Sequence, residues 1–326
     1  MDKDVGLNRH FFRLAHLGLC REGGIVQEQE LISEIQALFA RTGKSDLLVP
    51  NGDDGAVFRA DQKVIACADV AVEGVHFNIN WSSFFGVGRK ITAANLADIC
   101  AMGGWPKFLL VTLVLPAKYL AGALEIAKGI AHEADLVGAQ VIGGDLSSGN
   151  ELSISITAIG ETEKPLLRSG AKVGDLVLVS DLPGLSAAGL SLLRKNLSAD
   201  SDLAKKAITQ HKSPTLNYEK YRNAYKSLNC AMDVSDGLVR DAGHIADASG
   251  VQIDLRSEAL ASSELRELDS SNFMEWVLGG GEDHVLLGSA SAPIPGFVVI
   301  GKVLAGSGVT LDGKEIRTAG YSHSWS

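Results

Sequence analysis

The strongest constraint in this chain is a series of carboxylates that follow short apolar runs and sit on glycine turns or at strand ends. The first lies in Val49-Pro-Asn-Gly-Asp-Asp-Gly-Ala-Val57, where Asp53 and Asp54 are adjacent between Gly52 and Gly55. Flanking glycines permit a tight turn and close backbone approach to a ligand. Two neighbouring carboxylates repel one another, and a hard cation such as Mg²⁺ offsets that repulsion best. Taken alone, the segment also describes a solvated Asp-Gly turn. The pattern recurs, however, at Asp69, at Asp145 in Gln140-Val-Ile-Gly-Gly-Asp145, at Asp233 and Asp236 in Cys230-Ala-Met-Asp-Val-Ser-Asp-Gly-Leu238, and at Glu282 and Asp283 in Leu278-Gly-Gly-Gly-Glu-Asp283. Loops alone explain such a series poorly. Strand ends in α/β domains converge on one edge, so these acids are expected to converge there too. A pocket of this kind calls for several Mg²⁺ ions, which in turn favour phosphate oxygens.

The elements that carry the acids can be placed by periodicity. Val26 to Arg41 reads as a helix with Leu31, Ile32, Ile35, Leu38 and Phe39 on one face. Lys63 to Ala68 reads as a strand ending at Asp69, and Val87 to Met102 as a helix on which Asn95, Asp98 and Met102 share a face. The continuous apolar run Phe108 to Leu115 is a buried strand, Ala121 to Leu136 a helix, and Gln140 onward a strand running into a glycine turn that presents Asp145. Leu152 to Gly160 alternates as a half-exposed strand does. Charge and proline at Glu161 to Pro165 mark a boundary, giving residues 1–162 as an N-terminal domain, to which the family resemblance set out below adds metal binding, ATP binding and dimerisation as implications, and 163–326 as a C-terminal domain. Beyond it, Asp175 to Ser180 is a strand, Leu185 to Arg194, Ala199 to Lys212 and Thr215 to Leu228 are helices, and Val285 to Gly288 and Phe297 to Val303 are strands. Cys230 to Leu238 is a short strand feeding a helix with Ser235 or Asp236 at its N-cap. The fold class is α/β in the α+β sense, with helices on one face of an N-terminal mixed sheet.

Composition narrows the function. The 326 residues are 46% hydrophobic and 21% charged, with 36 Gly and 8 Pro, which describes a well-cored protein rather than a disordered one. The net charge of 30 − 39 = −9 argues against nucleic acid as a partner, since that needs basic stripes. Cys20, Cys67, Cys100 and Cys230 form no C-x-x-C pair, so neither a zinc site nor a disulfide framework is indicated. The longest apolar run, Phe108 to Leu115, is too short to span a membrane, and Arg13 and His16 interrupt the leader-like segment Arg9 to Cys20, so a cytoplasmic location is expected. There is no G-x-x-x-x-G-K-[ST] loop, G-x-G-x-x-G fingerprint, G-x-S-x-G elbow or H-E-x-x-H. With no evident nucleophile, direct phosphoryl transfer by positioning and charge neutralisation fits best, and no residue is assigned as a catalytic acid, base or nucleophile.

From about Asp46 to Tyr321 the chain resembles the thiamine-monophosphate kinase family, within the superfamily of aminoimidazole ribonucleotide synthetase, selenophosphate synthetase and a hydrogenase maturation factor. The likeness rests on Gly52-Asp-Asp54, Asp69 with Val72-Glu-Gly-Val-His-Phe77, Asn95-Leu-Ala-Asp-Ile-Cys-Ala-Met-Gly103, Ile142-Gly-Gly-Asp145, Arg168-Ser-Gly-Ala-Lys172, Asp233-Val-Ser-Asp-Gly-Leu238 and Gly280-Gly-Glu-Asp283, in that order. It implies a two-domain subunit like aminoimidazole ribonucleotide synthetase, whose N-terminal sheets pair across a homodimer. It further implies ATP-dependent phosphorylation of thiamine monophosphate to thiamine diphosphate. On this resemblance Asp54, Asp69, Asp98, Asp145, Asp233 and Asp236, with Asp53 beside them, hold Mg²⁺; Gly144, Asp145, Arg168 and Ser235 contact the nucleotide; and His76, Glu282 and Tyr321 touch the thiamine substrate. One departure stands out. Cys67 and Ala68 occupy positions where the family usually has two hydroxyl residues before the acid matching Asp69. That departure keeps open a paralogous kinase with another small substrate, beside a non-catalytic ATP- or metal-binding protein.

Overall fold

The architecture is taken from a computed structural model, which describes residues 28–39, 46–49, 55–197, 200–316 and 320. Asp53, Asp54 and Tyr321, and residues 1–25, lie outside the described residues. The N-terminal half contains α1 (Glu28–Phe39), β1 (Leu47–Val49), β2 (Val57–Phe58), β3 (Lys63–Val72), α2 (Phe84–Ala101), β4 (Trp105–Leu115), α3 (Ala123–Asp135), β5 (Gln140–Ser148) and β6 (Ser153–Thr162). Strands β3, β6, β4 and β5 form a mixed sheet in that order, with β4 and β5 parallel and the other pairs antiparallel. The alternation in β6 buries Ile154, Ile156 and Ala158, and α2 and α3 cover that face. The opposite face of the sheet carries Val64, Val70 and Leu110, all exposed.

The second half contains β7 (Leu176–Val179), α4 (Leu185–Arg194), α5 (Asp202–Lys212), α6 (Tyr218–Ala224), β8 (Cys230–Asp233), α7 (Leu238–Ser249), β9 (Gln252–Leu255), α8 (Ser257–Leu260), α9 (Ser263–Leu268), α10 (Phe273–Gly279), β10 (Leu286–Ala290), β11 (Val298–Leu304), β12 (Gly308–Leu311) and β13 (Lys314–Glu315). Its seven-stranded sheet runs β13-β12-β9-β11-β7-β10-β8, with only β9 and β12 parallel.

Helix α2 joins the halves. Ser83 caps it by accepting from the Gly86 N–H at 3.1 Å, and most of its length is buried. One side packs on the sheet and on α3, while another meets α5, α6 and β8. One apolar core accordingly continues from Leu96, Ile99 and Ile156 into Tyr218, Tyr221 and Leu286. Polar groups pin the same junction. Glu133, fully buried on α3, accepts from Tyr218 Oη at 2.7 Å and from Arg89 Nε at 2.8 Å. Breaking such a buried charge cluster from one side costs roughly 3–5 kcal/mol.

Two glycines set how closely α2 and α3 approach. A Cβ on Gly88 would lie 2.1 Å from the Ile126 carbonyl oxygen, and one on Gly129 would lie 2.1 Å from the Phe85 carbonyl oxygen. Both obstacles are backbone, so relief requires the helices to separate. In an exposed helix Gly→Ala gains about 1 kcal/mol of propensity. Here overpacking wins, and Gly129→Ala is expected to lower unfolding stability by about 2 kcal/mol. Urea denaturation checks this; a midpoint equal to or above that of the parent protein contradicts it.

Candidate functional site

The acids meet at the junction of the two halves, not along the edge of one sheet. Asp69 lies within β3, on the face toward α2, in a row with Ile156 and Val111. Asp98 projects from α2 one turn before its end, and Asp233 ends β8. The three interact. Burial pushes the Asp98 carboxyl up to about 8, with the charges of Asp233 and Asp69 adding to the shift. Burial also raises Asp69, which shares a hydrogen bond with Asp98. Asp233 is buried and pairs with His284, Nδ1 to Oδ2 at 3.0 Å. Burial alone would lower the His284 pKa, but the bond and charge of Asp233 outweigh it and raise the value.

The loop after β8 is shaped from below. The backbone N–H groups of Ser235, Asp236 and Gly237 all donate to Asp241 Oδ2, each at 3.1 Å. Helix α7 therefore has Gly237 at its N-cap, not Ser235 or Asp236 as the sequence suggested, and a carboxylate one turn inside the helix satisfies the amides. Asp236 Oδ2 sits 3.4 Å from Arg240 Nε.

The turn from Gly280 to His284 faces this loop. Glu282 and His284 both adopt positive φ, at 61° and 52°. Non-glycine residues hold such angles only where their surroundings impose them. Each side chain of the turn is tied to a different element. Glu282 Oε2 pairs with Lys90 Nζ of α2 at 3.0 Å and lies 3.6 Å from His211 Nδ1 of α5. Asp283 accepts from the Gly184 N–H at 2.6 Å and the Ser186 N–H at 2.9 Å, capping α4 from a distance of 97 residues. His284 holds Asp233, and its carbonyl accepts from Tyr221 Oη at 2.9 Å.

Other expected site residues stand apart from this group. Asp145 does not sit on a glycine turn. Strand β5 continues through it, because Gly144 serves close strand approach: a Cβ there would lie 1.8 Å from the Val111 carbonyl oxygen. The register pairs Asp145 with Thr112, in the row of Ser155 and Val70, so its side chain is on the sheet face opposite Asp69, where it accepts from Ser147 Oγ at 3.0 Å. Arg168 is exposed before β7, and its backbone carbonyl accepts from Ser249 Oγ at 2.9 Å. His76 accepts from the Val72 N–H through Nδ1 at 3.1 Å, which fixes its ring beside β3 and within electrostatic reach of Asp69.

The donor set suits a hard divalent cation. Asp69, Asp98 and Asp233 are oxygen ligands whose mutual repulsion His284 offsets only in part. One turn before Asp98, Asn95 Oδ1 is buried without a hydrogen-bond partner. Among the described residues no three His, Cys, Asp or Glu side chains close on a single point. Mg²⁺ does not need such a cage, since it retains waters and is commonly held by one or two carboxylates plus substrate phosphates. Cys67 adds no ligand. Its Sγ donates to the Asn95 carbonyl at 3.5 Å, and burial, followed by the charges of Asp98 and Asp69, keeps the thiol protonated. Lys90, His211, Asp241 and His284 were not singled out from sequence. Only His284, one position past the Gly-Gly-Glu-Asp run, had a local signal.

Two α/β units that share a buried helix, with carboxylates gathered between them, define a class. Residues 52–162 match the AIR synthase related protein N-terminal domain and residues 172–314 match the corresponding C-terminal domain, so the chain belongs to the AIR synthase related proteins. Within them it belongs to the thiamine-monophosphate kinase family. It is 36% identical over 282 residues to the thiamine-monophosphate kinase of Aquifex aeolicus, covering 83% of this chain and 92% of that one. It is 40% identical over 253 residues to that of Bacillus subtilis, covering 74% and 77%. A solved structure of AaThiL complexed with AMPPCP and TMP aligns at a TM-score of 0.77 and 33% identity, over 93% of this chain and 100% of that chain.

Asp241 gives a test of how the site is built. Asp241→Ala would leave three amides of a partly buried loop without their acceptor and is expected to cost about 3 kcal/mol of stability. It should also speed hydrogen exchange at residues 235–237 more than in α7 beyond its first turn. Uniform exchange changes across the C-terminal half would contradict a local role.

Proposed function

We propose that this chain is an ATP-dependent kinase that phosphorylates thiamine monophosphate to thiamine diphosphate, releasing ADP. The observation that carries the reading is the meeting of Asp69, Asp98 and Asp233 at the junction of the two halves, in a chain of this family. The AaThiL complex adds support, since AMPPCP is an ATP analogue and TMP is the phosphate acceptor. In the reaction a terminal phosphate oxygen of thiamine monophosphate attacks the γ-phosphorus of ATP in line. The bond from that phosphorus to the β–γ bridging oxygen breaks, and no phosphoenzyme forms.

Asp69, Asp98 and Asp233 would hold Mg²⁺, joined by Asp53, Asp54 and Asp236, while Asp145, on the opposite face of the sheet, would serve a separate ion. The ions, when bound, neutralise phosphate charge and help align the two oxygens. The chain's own residues position the reactants. His284 holds Asp233 in place and limits the repulsion it feels. Asp241 shapes the loop that offers Ser235 to the nucleotide. Gly144 and Arg168 are assigned to the nucleotide as well, Arg168 through charge-assisted phosphate bonds. His76, Glu282 and Tyr321 are assigned to the thiamine part.

The same reading makes the protein a cytoplasmic homodimer divided near residue 162. The exposed Val64, Val70 and Leu110 lie on the sheet face that a second copy would cover, and β3 is a long edge strand. Asp145 lies on that face, so pairing of two copies would change its surroundings. No described helix is long and apolar enough to cross a membrane.

Incubation with ATP, Mg²⁺ and thiamine monophosphate, followed by chromatography, tests the activity. Thiamine diphosphate and ADP should appear in equal amounts. Omission of Mg²⁺, or the change Asp98→Asn or Asp54→Ala, should reduce the rate at least about 100-fold. Turnover of another phosphorylated metabolite in place of thiamine monophosphate would favour the paralogue suggested by Cys67 and Ala68.

A further inference from the structure

Lys90 is a buried cation that the proposed chemistry does not use. It lies on α2 at 7% exposure, and its ammonium reaches across to Glu282 Oε2 at 3.0 Å, linking residues 192 positions apart. Burying a lysine is unfavourable unless its charge is paired, and Glu282 supplies the pair. His211 also faces Oε2, but burial, then the Lys90 charge, pushes its pKa down to about 4, so it is neutral near pH 7. Its Nδ1 is also 3.2 Å from Ser186 Oγ. Lys90 is therefore the one cation at ion-pair distance from Glu282 among the described residues at that pH.

The contacts are one-sided. Both fall on Oε2, and Oε1 has no hydrogen-bond partner among the described residues, while a third of the Glu282 side chain remains exposed. The backbone at Glu282 is held at φ 61°, which the tethers on either side of the turn sustain. Lys90, Ala94 and Asp98 follow one another at four-residue spacing, so they line one stripe of α2. At about 1.5 Å per residue, Lys90 is about 12 Å along the axis from Asp98. One rigid helix thus sets the separation between the acid cluster and the Glu282 carboxylate.

We propose that Lys90 is a positioning residue for substrate recognition: by holding Glu282 Oε2 it presents Oε1 to the cationic heterocyclic part of thiamine monophosphate, leaving the nucleotide unaffected. This rests on the reading of Glu282 as a contact to the thiamine part. A lysine paired only for stability would affect folding; a positioning lysine selectively weakens one substrate.

Steady-state kinetics on the full-length enzyme separate these cases. In Lys90→Met the KM for thiamine monophosphate should rise about tenfold, with the KM for ATP within about twofold of the parent and the loss falling on KM rather than kcat. Lys90→Arg, which keeps the charge, should recover most of that affinity. Glu282→Gln should raise the same KM, and the double variant should be no worse than Glu282→Gln, since both act through one contact. Thermal melts identify any loss of fold; if Lys90→Met does not fold, Lys90→Gln takes its place with the same readout. An unchanged KM in Glu282→Gln overturns the reading of Glu282 and the proposal with it. A raised KM in Glu282→Gln with an unchanged KM in the Lys90 variant, or equal rises for both substrates, overturns the Lys90 proposal alone.

Discussion

The structure depends on the burial of α2 between two sheets. A helix covered on one side by β3, β6 and α3, and on the other by β8, α5 and α6, cannot shift without opening both halves of the core. Its approach to α3 is close enough that backbone carbonyls occupy the space of two missing Cβ atoms. Dense packing of this kind transmits position well. The functional consequence is that Lys90 and Asp98, on one stripe of α2, are held at fixed separation while elements of the second half come to meet them.

Against that fixed helix the site accumulates charge it does not neutralise internally. At an effective dielectric constant near 20, two carboxylates 4 Å apart repel by about 4 kcal/mol. The raised pKa of Asp98 and the pairing of Asp233 with His284 relieve part of this. The rest is the physical reason for reading the cleft as a place for divalent cations and phosphates. The neighbouring Gly280–His284 turn works differently: its three charged side chains are each matched to a partner from another element, and together they hold two residues in left-handed conformations.

Much of this was legible in the order of residues. The helix carrying Asp98 and the strand leading to Asp69 both follow from apolar periodicity, and the structure lengthens them to Phe84–Ala101 and Lys63–Val72. Glycine caused the main error. Gly143-Gly144-Asp145 reads as a turn, but Gly144 instead lets β5 lie against Val111, and Asp145 stays in the strand. A glycine needed for close approach and one needed for a turn are the same letter. The N-cap of α7 was misplaced for a related reason, since the acceptor for its amides comes from Asp241 inside the helix. Lys90 and Glu282, separated by 192 positions, have no local pattern that joins them. The short strands β9, β12 and β13 also passed unnoticed, because two to four residues are too few to show a period.

The most direct test of the central claim is where the cations bind. Crystals grown with Mn²⁺ in place of Mg²⁺, AMPPCP and thiamine monophosphate would locate them by anomalous scattering. Peaks bounded by Asp69, Asp98 and Asp233, with the thiamine part of the substrate toward Glu282, are the predicted result. Both substrates bound with no metal density between α2 and β8 would contradict the account.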